Sequence, residues 1–197
     1  QGALDNTQGA IQAAQTVDLL STSLVNRQGE VSGASIVVDA RGQTLDNAGG
    51  RLLASQSLMT DSRTLENRGG LLQSGGGLSV QTHGAALINT RDGAVSTPTG
   101  IRATGAMTIA AGTLTNENGI SAGTSAQLTV SQLTNRAELS ASALGLTVGG
   151  TLDNQGGRLI GGQSLSASAQ QVLNQGGLIY GGSTLTLNAA GRIDNTG

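Results

Sequence analysis

Residues 45–58 read LDNAGGRLLASQSL, and residues 152–165 read LDNQGGRLIGGQSL. Ten of the fourteen positions are identical, although the two stretches lie in opposite halves of the chain. Self-similarity at a fixed period is typical of repeat architectures, in which each repeat of the sequence is one repeat of the structure. The two stretches therefore indicate a chain built from copies of one structural unit.

The unit is marked by an anchor, which is an aliphatic residue, one variable residue and then Asn. The anchor occurs ten times, and the positions of successive asparagines differ by 20, 21, 20, 22, 27, 19, 19, 20 and 21. The pattern predicts one β-helical repeat domain over residues 1–197. Because the sequence starts and stops within the pattern, we expect a fragment of a longer filament. The anchors are Leu4/Asn6, Leu24/Asn26, Leu45/Asn47, Leu65/Asn67, Leu87/Asn89, Leu114/Asn116, Leu133/Asn135, Leu152/Asn154, Val172/Asn174 and Ile193/Asn195.

Three further columns accompany the anchor. Gly stands three residues after Asn in seven units, and an aliphatic residue follows soon afterwards. An alternating apolar pair comes about eleven residues after Asn, and this spacing is typical of a strand with one buried face. The aliphatic residues are Ile11, Val31, Leu52, Leu72, Val95, Ile120, Leu139, Leu159 and Ile179, and the pairs are Val17/Leu19, Ile36/Val38, Leu78/Val80, Leu128/Val130, Leu146/Val148 and Leu185/Leu187.

These columns predict an all-β fold, a right-handed parallel β-helix of about nine coils with three short strands per coil. A unit of about 20 residues cannot bury its apolar face alone, but it can when stacked on copies of itself. Equivalent strands would then pair in parallel about 4.8 Å apart. The usual hand of parallel crossovers favours right-handed winding. Helical solenoids need longer repeats and a 3.6-residue period.

The composition excludes several classes of protein. The chain has 32 Gly, one Tyr, no Phe, Trp or Cys, and a net charge of −2, and all ten of its cations are Arg. We therefore expect no nucleic-acid partner, no disulfide framework and no cofactor. Disorder is the rival for a Gly-rich chain, but 37% hydrophobic residues and low net charge argue against it. No stretch approaches the run of about 18 apolar residues that a membrane span needs.

The Asn and Gly columns have two interpretations. Both residues tolerate the left-handed backbone conformation, so Asn-x-x-Gly could be turn chemistry alone. Alternatively, the stacked asparagines form a continuous hydrogen-bonded ladder inside one corner of the coil. We favour the ladder, because the aliphatic residue two positions earlier fixes the register of every Asn.

The motifs LDNxGGxL, LTN and LDNQGG at a period near 20 resemble the repeats of filamentous haemagglutinin-type exoproteins. That family includes large adhesins and the stalks of contact-dependent growth inhibition toxins, which leave the cell by two-partner secretion. The resemblance covers nearly the whole chain and implies a shaft at the surface of a Gram-negative bacterium. It implies neighbouring repeats of the same filament and an outer-membrane transporter as partners. It also accounts for the missing Cys, since such chains cross the outer membrane unfolded.

The step of 27 between Asn89 and Asn116 departs from the pattern. Counting from both ends places the excess between Val95 and Met107, around the only Pro of the chain, and predicts a loop excursion over 96–106. Loops on a rigid scaffold often carry binding residues. We therefore predict that partner binding, if this segment contacts a receptor, involves Arg91, Asp92, Ile101 and Arg102.

Candidate catalytic and metal-binding residues are few. Asp46 and Glu66 would lie on neighbouring coils about 5 Å apart, a separation that retaining glycosidases use. Without a cleft or an aromatic residue to hold a sugar, we interpret them as exposed carboxylates near Arg51 and Arg68. His83 lacks the partners of a metal site and is expected on the surface.

Three functions follow as hypotheses. The first is a structural shaft that presents a distal adhesive or toxic domain, and the second is a direct receptor-binding segment. A polysaccharide lyase on the same fold is disfavoured, because no Lys is available for a basic cluster. Tyr180 is expected to point outward, where it could contact a partner.

Overall fold

The computed structural model describes residues 2–40, 42–93 and 98–197. These residues form strands and turns and no helix. The strands are β1 (Leu4–Asp5), β2 (Ala10–Gln12), β3 (Thr16–Leu20), β4 (Leu24–Val25), β5 (Glu30–Asp39), β6 (Thr44–Asp46), β7 (Arg51–Asp61), β8 (Thr64–Glu66), β9 (Leu71–Ser74), β10 (Gly77–Gln81), β11 (Ala86–Asn89), β12 (Gly100–Ala103), β13 (Met107–Asn116), β14 (Ile120–Ala122), β15 (Ser125–Asn135), β16 (Glu138–Val148), β17 (Thr151–Asp153), β18 (Arg158–Ala169), β19 (Gln171–Leu173), β20 (Leu178–Gly181), β21 (Thr184–Ala189) and β22 (Ile193–Asp194).

The strands wind into three walls, and the pairs that they form are parallel. Wall A carries the anchors and begins with β1, β4, β6 and β8, which pair in that order. Wall B begins with β2 and wall C with β3, and both pair with successive parts of β5. Several strands run through two walls without a break, such as β18, which pairs with both β20 and β21. The predicted parallel solenoid of about nine coils is confirmed, and its right hand stays a prediction.

The anchor and wall B columns stack as the repeat predicts. In wall A, Leu133 is the register partner of Leu152, and the two residues are 1% and 0% exposed. The apolar residues of all three walls meet in one continuous core that runs along the coil axis. This core is built from Leu, Ile, Val, Met and Ala. Each coil therefore buries its apolar face against the coils on either side of it.

The register of wall C differs from the prediction in two coils. Val80 pairs with Ile109, which in turn pairs with Leu128, so Leu128 belongs to the second position of the apolar pair and not to the first. Leu146 follows Leu128 in the same column. The predicted pairs Leu128/Val130 and Leu146/Val148 are therefore shifted by two residues. A shift of two keeps the same face inward, so the prediction of burial was right while the register was wrong.

The predicted excursion over 96–106 is wrong for its second half. Gly100–Ala103 is strand β12, which lies between β9 and β14 in wall B. The extra residues of this coil therefore lie between Asn89 and Gly100. Val95 and residues 96–97 lie outside the described residues. The error arose because Val95 was assigned to the wall B column, whereas Ile101 occupies that position between Leu72 and Ile120.

Candidate functional site

The ten anchor asparagines lie in one column at the corner that follows wall A. Each Nδ2 donates a hydrogen bond to the Oδ1 of the next asparagine along the chain, over 2.6–2.9 Å. Nine such bonds connect Asn6 to Asn195, and they run in the same direction. The column crosses the long coil without a break, because Asn89 donates to Asn116 over 2.8 Å.

Backbone carbonyl groups accept further hydrogen bonds from the same amides. Asn47 Nδ2 lies 3.2 Å from the Gly50 oxygen in its own coil and 3.4 Å from the Leu71 oxygen in the next one. Most of the ladder is fully buried: Asn26, Asn47, Asn67, Asn89, Asn116, Asn135 and Asn154 are all 0% exposed. Burial of a polar side chain is tolerated when its donors and acceptors are paired. The ladder therefore provides a polar interior that is satisfied from coil to coil.

The regular spacing of Gly three residues after Asn has a different cause from the one predicted. A Cβ built on Gly50 would lie 1.9 Å from the Asn26 carbonyl oxygen of the preceding coil, so only Gly fits there. The left-handed conformation belongs to the residue before it, such as Gly49 with a φ of 63°. The amide of Gly50 donates to the Asn47 carbonyl over 3.0 Å, and this closes a turn of type II character. The corner thus needs both a positive φ and a close approach.

Arginines pair with the acidic residues beside the ladder. Asp46 and Glu66 are register partners, as predicted. Asp46 contacts Arg27 over 2.6 Å and Glu66 contacts Arg68 over 2.8 Å. Two expectations fail here, since the Asp46 side chain is only 11% exposed and its partner is Arg27 rather than Arg51. Each carboxylate therefore has its own arginine, and this is the pattern of structural ion pairs.

Asp153 and Arg136 form the strongest of these pairs. The guanidinium reaches both carboxylate oxygens, at 2.8 and 2.5 Å, from the preceding coil. This hydrogen bonding holds the pKa of Asp153 below its ordinary value. Sequence reasoning missed these cross-coil pairs. The available signal was an Arg directly after the anchor Asn, as at Arg27, Arg68 and Arg136.

His83 and Tyr180 lie on the surface, as expected. The His83 side chain is 54% exposed, and its Nε2 lies 2.7 Å from Asp61 Oδ1. Tyr180 is 50% exposed. In residues 2–40, 42–93 and 98–197 there is no group of three or more His, Cys, Asp or Glu side chains that could hold a metal ion. The same described ranges contain no helix that is both long and apolar enough to cross a membrane.

The four predicted binding residues are placed differently from one another. Arg91 and Asp92 are exposed in the long connection, and Arg102 points outward from β12. Ile101 is 0% exposed and packs in the core, so the prediction of an apolar contact at Ile101 is wrong. The reason is the alternation of β12, which sends Ile101 inward and Arg102 outward. A role of the other three in binding stays a prediction.

An open apolar groove of about 330 Å³ lies on the outer face of wall C. Its lining includes Val37, Met59, Gly77 and Ala106, and Met59 is 51% exposed. Among the described residues, none that lines the groove is an acid, a base or an arginine. The groove offers apolar contact area and no catalytic chemistry.

Comparison with known proteins agrees with this architecture. Residues 132–197 match the family described as Haemagglutinin repeat. The chain is 29% identical over 174 residues to the protein named Deoxyribonuclease CdiA of Dickeya dadantii strain 3937, and the match covers 82% of this chain but 5% of that protein. The predicted resemblance to filamentous haemagglutinin repeats is confirmed. No solved structure matches the chain.

Proposed function

We propose that this chain is part of the structural shaft of a secreted, cell-surface filamentous exoprotein, and that it holds a distal binding or toxic domain away from the cell. The observation that carries the proposal is the unbroken asparagine ladder from Asn6 to Asn195. A ladder that continues through every coil couples each coil to its neighbours. Because stability in a solenoid depends on contacts between neighbouring repeats, such coupling favours a stiff rod.

The family resemblance supports the surface location. Haemagglutinin-repeat proteins of Gram-negative bacteria are secreted to the cell surface, and the chain matches such a repeat over residues 132–197. A CdiA-like exoprotein would pass through an outer-membrane transporter of the two-partner type. The lack of Cys suits that route, because no disulfide would obstruct an unfolded chain. We therefore propose the transporter and the neighbouring repeats as its partners.

We do not assign catalysis to these coils. The protein named as a deoxyribonuclease matches this chain over 5% of its own length, so its named activity belongs to a much larger molecule. The carboxylates described above are paired with arginines, and paired carboxylates are not available as acid and base. We propose a structural role for this segment within an exoprotein of that general kind.

A direct receptor contact is the second candidate, and the long connection after Asn89 favours it. Arg91 and Asp92 are exposed there, and they interrupt a surface that otherwise repeats from coil to coil. Arg102 lies on the outer face of wall B shortly after this connection. The contact would be polar, because Ile101 is buried.

One replacement distinguishes the two candidates in the full exoprotein. Residues 90–100 are exchanged for Arg-Gly-Gly-Leu, copied from positions 68–71, so that the long coil is shortened to the usual repeat length. The shaft proposal predicts that the filament still folds and that binding to target cells stays within about twofold of wild type. A large loss of target-cell binding by a folded filament would refute the shaft as the sole role. Arg102→Ser serves as the matched control, since it changes the outer surface and leaves the coil length unchanged.

A further inference from the structure

The last coil has an open apolar face. Leu185 and Ile193 are each 49% exposed, and Ile179 and Leu187 are partly buried. Together with Asn174 and Asn195 these residues line a cavity of about 190 Å³. In the interior coils the same columns are covered by the next coil and are nearly all fully buried. The tail face, defined by Ile179, Leu185, Leu187, Ile193 and Asn195, therefore has the shape of an interior coil surface without its cover.

The first coil presents the matching face. Leu4, Ile11 and Leu19 are partly buried there, beside Asn6. These residues and Val17 form the head face, and each of them belongs to the same column as one residue of the tail face. Ile193 stands in the column of Leu4, Ile179 in that of Ile11, Leu185 in that of Val17, Leu187 in that of Leu19, and Asn195 in that of Asn6.

The asparagine ladder gives the two faces opposite polarity. Asn6 Nδ2 donates to Asn26, and no hydrogen bond within the described residues is donated to Asn6 Oδ1. Asn195 Oδ1 accepts from Asn174, and its Nδ2 donates to no acceptor in the same set of residues. The tail face thus offers a hydrogen-bond donor, and the head face offers the acceptor that the interior ladder would place opposite it.

Gly9 leaves room for the backbone of a preceding coil. In the next coil, a Cβ on Gly29 would lie 2.1 Å from the Asn6 carbonyl oxygen, which explains the Gly at that corner. Gly9 occupies the equivalent corner of the first coil, where the Asn195 carbonyl of another molecule would approach. The head face therefore has the same backbone clearance as the interior coils.

We propose that the tail face of this chain binds the head face of a second copy of the same chain. Ile193 would then stack on Leu4 and Asn195 would donate to Asn6, so that the ladder continues across the junction. Unpaired strand edges at both faces would pair in parallel, as exposed edges readily do. The contact joins two different surfaces, so it leaves a free face at each end and produces open head-to-tail chains.

Two blocked variants test the proposal by sedimentation velocity. Ile193→Arg blocks the tail face, and Leu4→Arg blocks the head face. Wild type should form a concentration-dependent series of oligomers, and each variant alone should remain at the 19.5 kDa monomer mass. An equimolar mixture of the two variants should form a dimer of twice that mass, because one intact head face meets one intact tail face. Ser166→Arg, an exposed change on the outer face of wall C, should associate like wild type.

Three outcomes would overturn the proposal. One is a wild-type chain that stays monomeric at every concentration, and another is a blocked variant that dimerises by itself, since that would indicate a symmetric contact. The third is a mixture of the two variants that stays monomeric while wild type associates, since association would then use the sides of the rod. Far-UV circular dichroism checks that the variants fold, and Ile193→Ser with Leu4→Ser repeats the test without an introduced charge.

Discussion

Replacing Asn67 by Ala should weaken the coil more than any loss of turn propensity would. Asn67 is 0% exposed, and its Nδ2 lies 2.9 Å from Asn89 Oδ1, 3.2 Å from the Gly70 oxygen and 3.3 Å from the Gly100 oxygen. Its Oδ1 accepts from Asn47 over 2.8 Å. Alanine would remove all four contacts and leave Asn89 Oδ1 buried without its donor.

The magnitude follows from these contacts. A buried acceptor left unpaired costs about 1–3 kcal/mol, and each lost neutral hydrogen bond contributes about 0.5–1.5 kcal/mol. Asn47 Nδ2 keeps two carbonyl acceptors, so its loss is partial. We therefore expect Asn67→Ala to lower the free energy of unfolding by about 2–4 kcal/mol.

Urea unfolding followed by circular dichroism measures this change. Asn195→Ala is the matched control, because Asn195 is exposed and accepts one ladder bond, so its loss should be below about 1 kcal/mol. If the two substitutions had equal effects, the ladder would contribute nothing and turn chemistry alone would explain the asparagines. Asn67→Asp adds a second readout, since an ionised carboxylate would face three oxygen acceptors. Its folded pKa should be raised, so the variant should gain stability as the pH falls toward about 4.

Three further predictions concern the core, the corner ion pair and metals. Leu152→Ala should cost about 2–5 kcal/mol in urea unfolding and Leu152→Asp more, because Leu152 is 0% exposed; wild-type stability in Leu152→Asp would mean that the register is wrong. Asp153 has a lowered pKa because of Arg136, so the stability it contributes is present above about pH 3.9 and lost as the pH falls through its folded pKa. The stability difference between wild type and Asp153→Asn should therefore shrink on acidification, and a difference that grew would contradict the assigned cause. Chelation by EDTA should leave the melting temperature unchanged, whereas a fall of many degrees would reveal an ion site.

The anchor columns were predictable because two constraints act on the same residues. Leu133 must be apolar for the core, and Asn135 must follow it by two residues for the corner, so a single alignment of the repeats fixes both. Wall C carries one constraint only. Its inward positions are equivalent at intervals of two, and Leu128 therefore fitted either of two registers. The choice depends on the length of the corner before the strand, which the apolar pattern does not encode.

The long coil shows a second limit. Val95 and Ile101 are both β-branched aliphatic residues within reach of the wall B column, and spacing from Asn89 favours the nearer one. Spacing from Ile120 favours Ile101, which β12 confirms. The reason for Gly50 was also beyond the sequence, since it depends on the distance between the backbones of two coils rather than on local conformation. Arg27 could be paired with Asp46 only once the neighbouring corners had been placed side by side.

Deleting two whole coils tests most directly whether this chain is a rod of stacked, interchangeable coils. Removal of residues 136–174 joins Asn135 to Gln175, so that one anchor replaces another and the repeat pattern continues across the join. The wild-type rod should be roughly 45 Å long at about 4.8 Å per coil, and the deletion should shorten it by about 10 Å. Small-angle X-ray scattering, extrapolated to zero concentration, measures the maximum dimension, and circular dichroism per residue should be unchanged. A maximum dimension that does not fall, or a loss of β signal with an intact ladder sequence, would contradict the stacked-coil architecture.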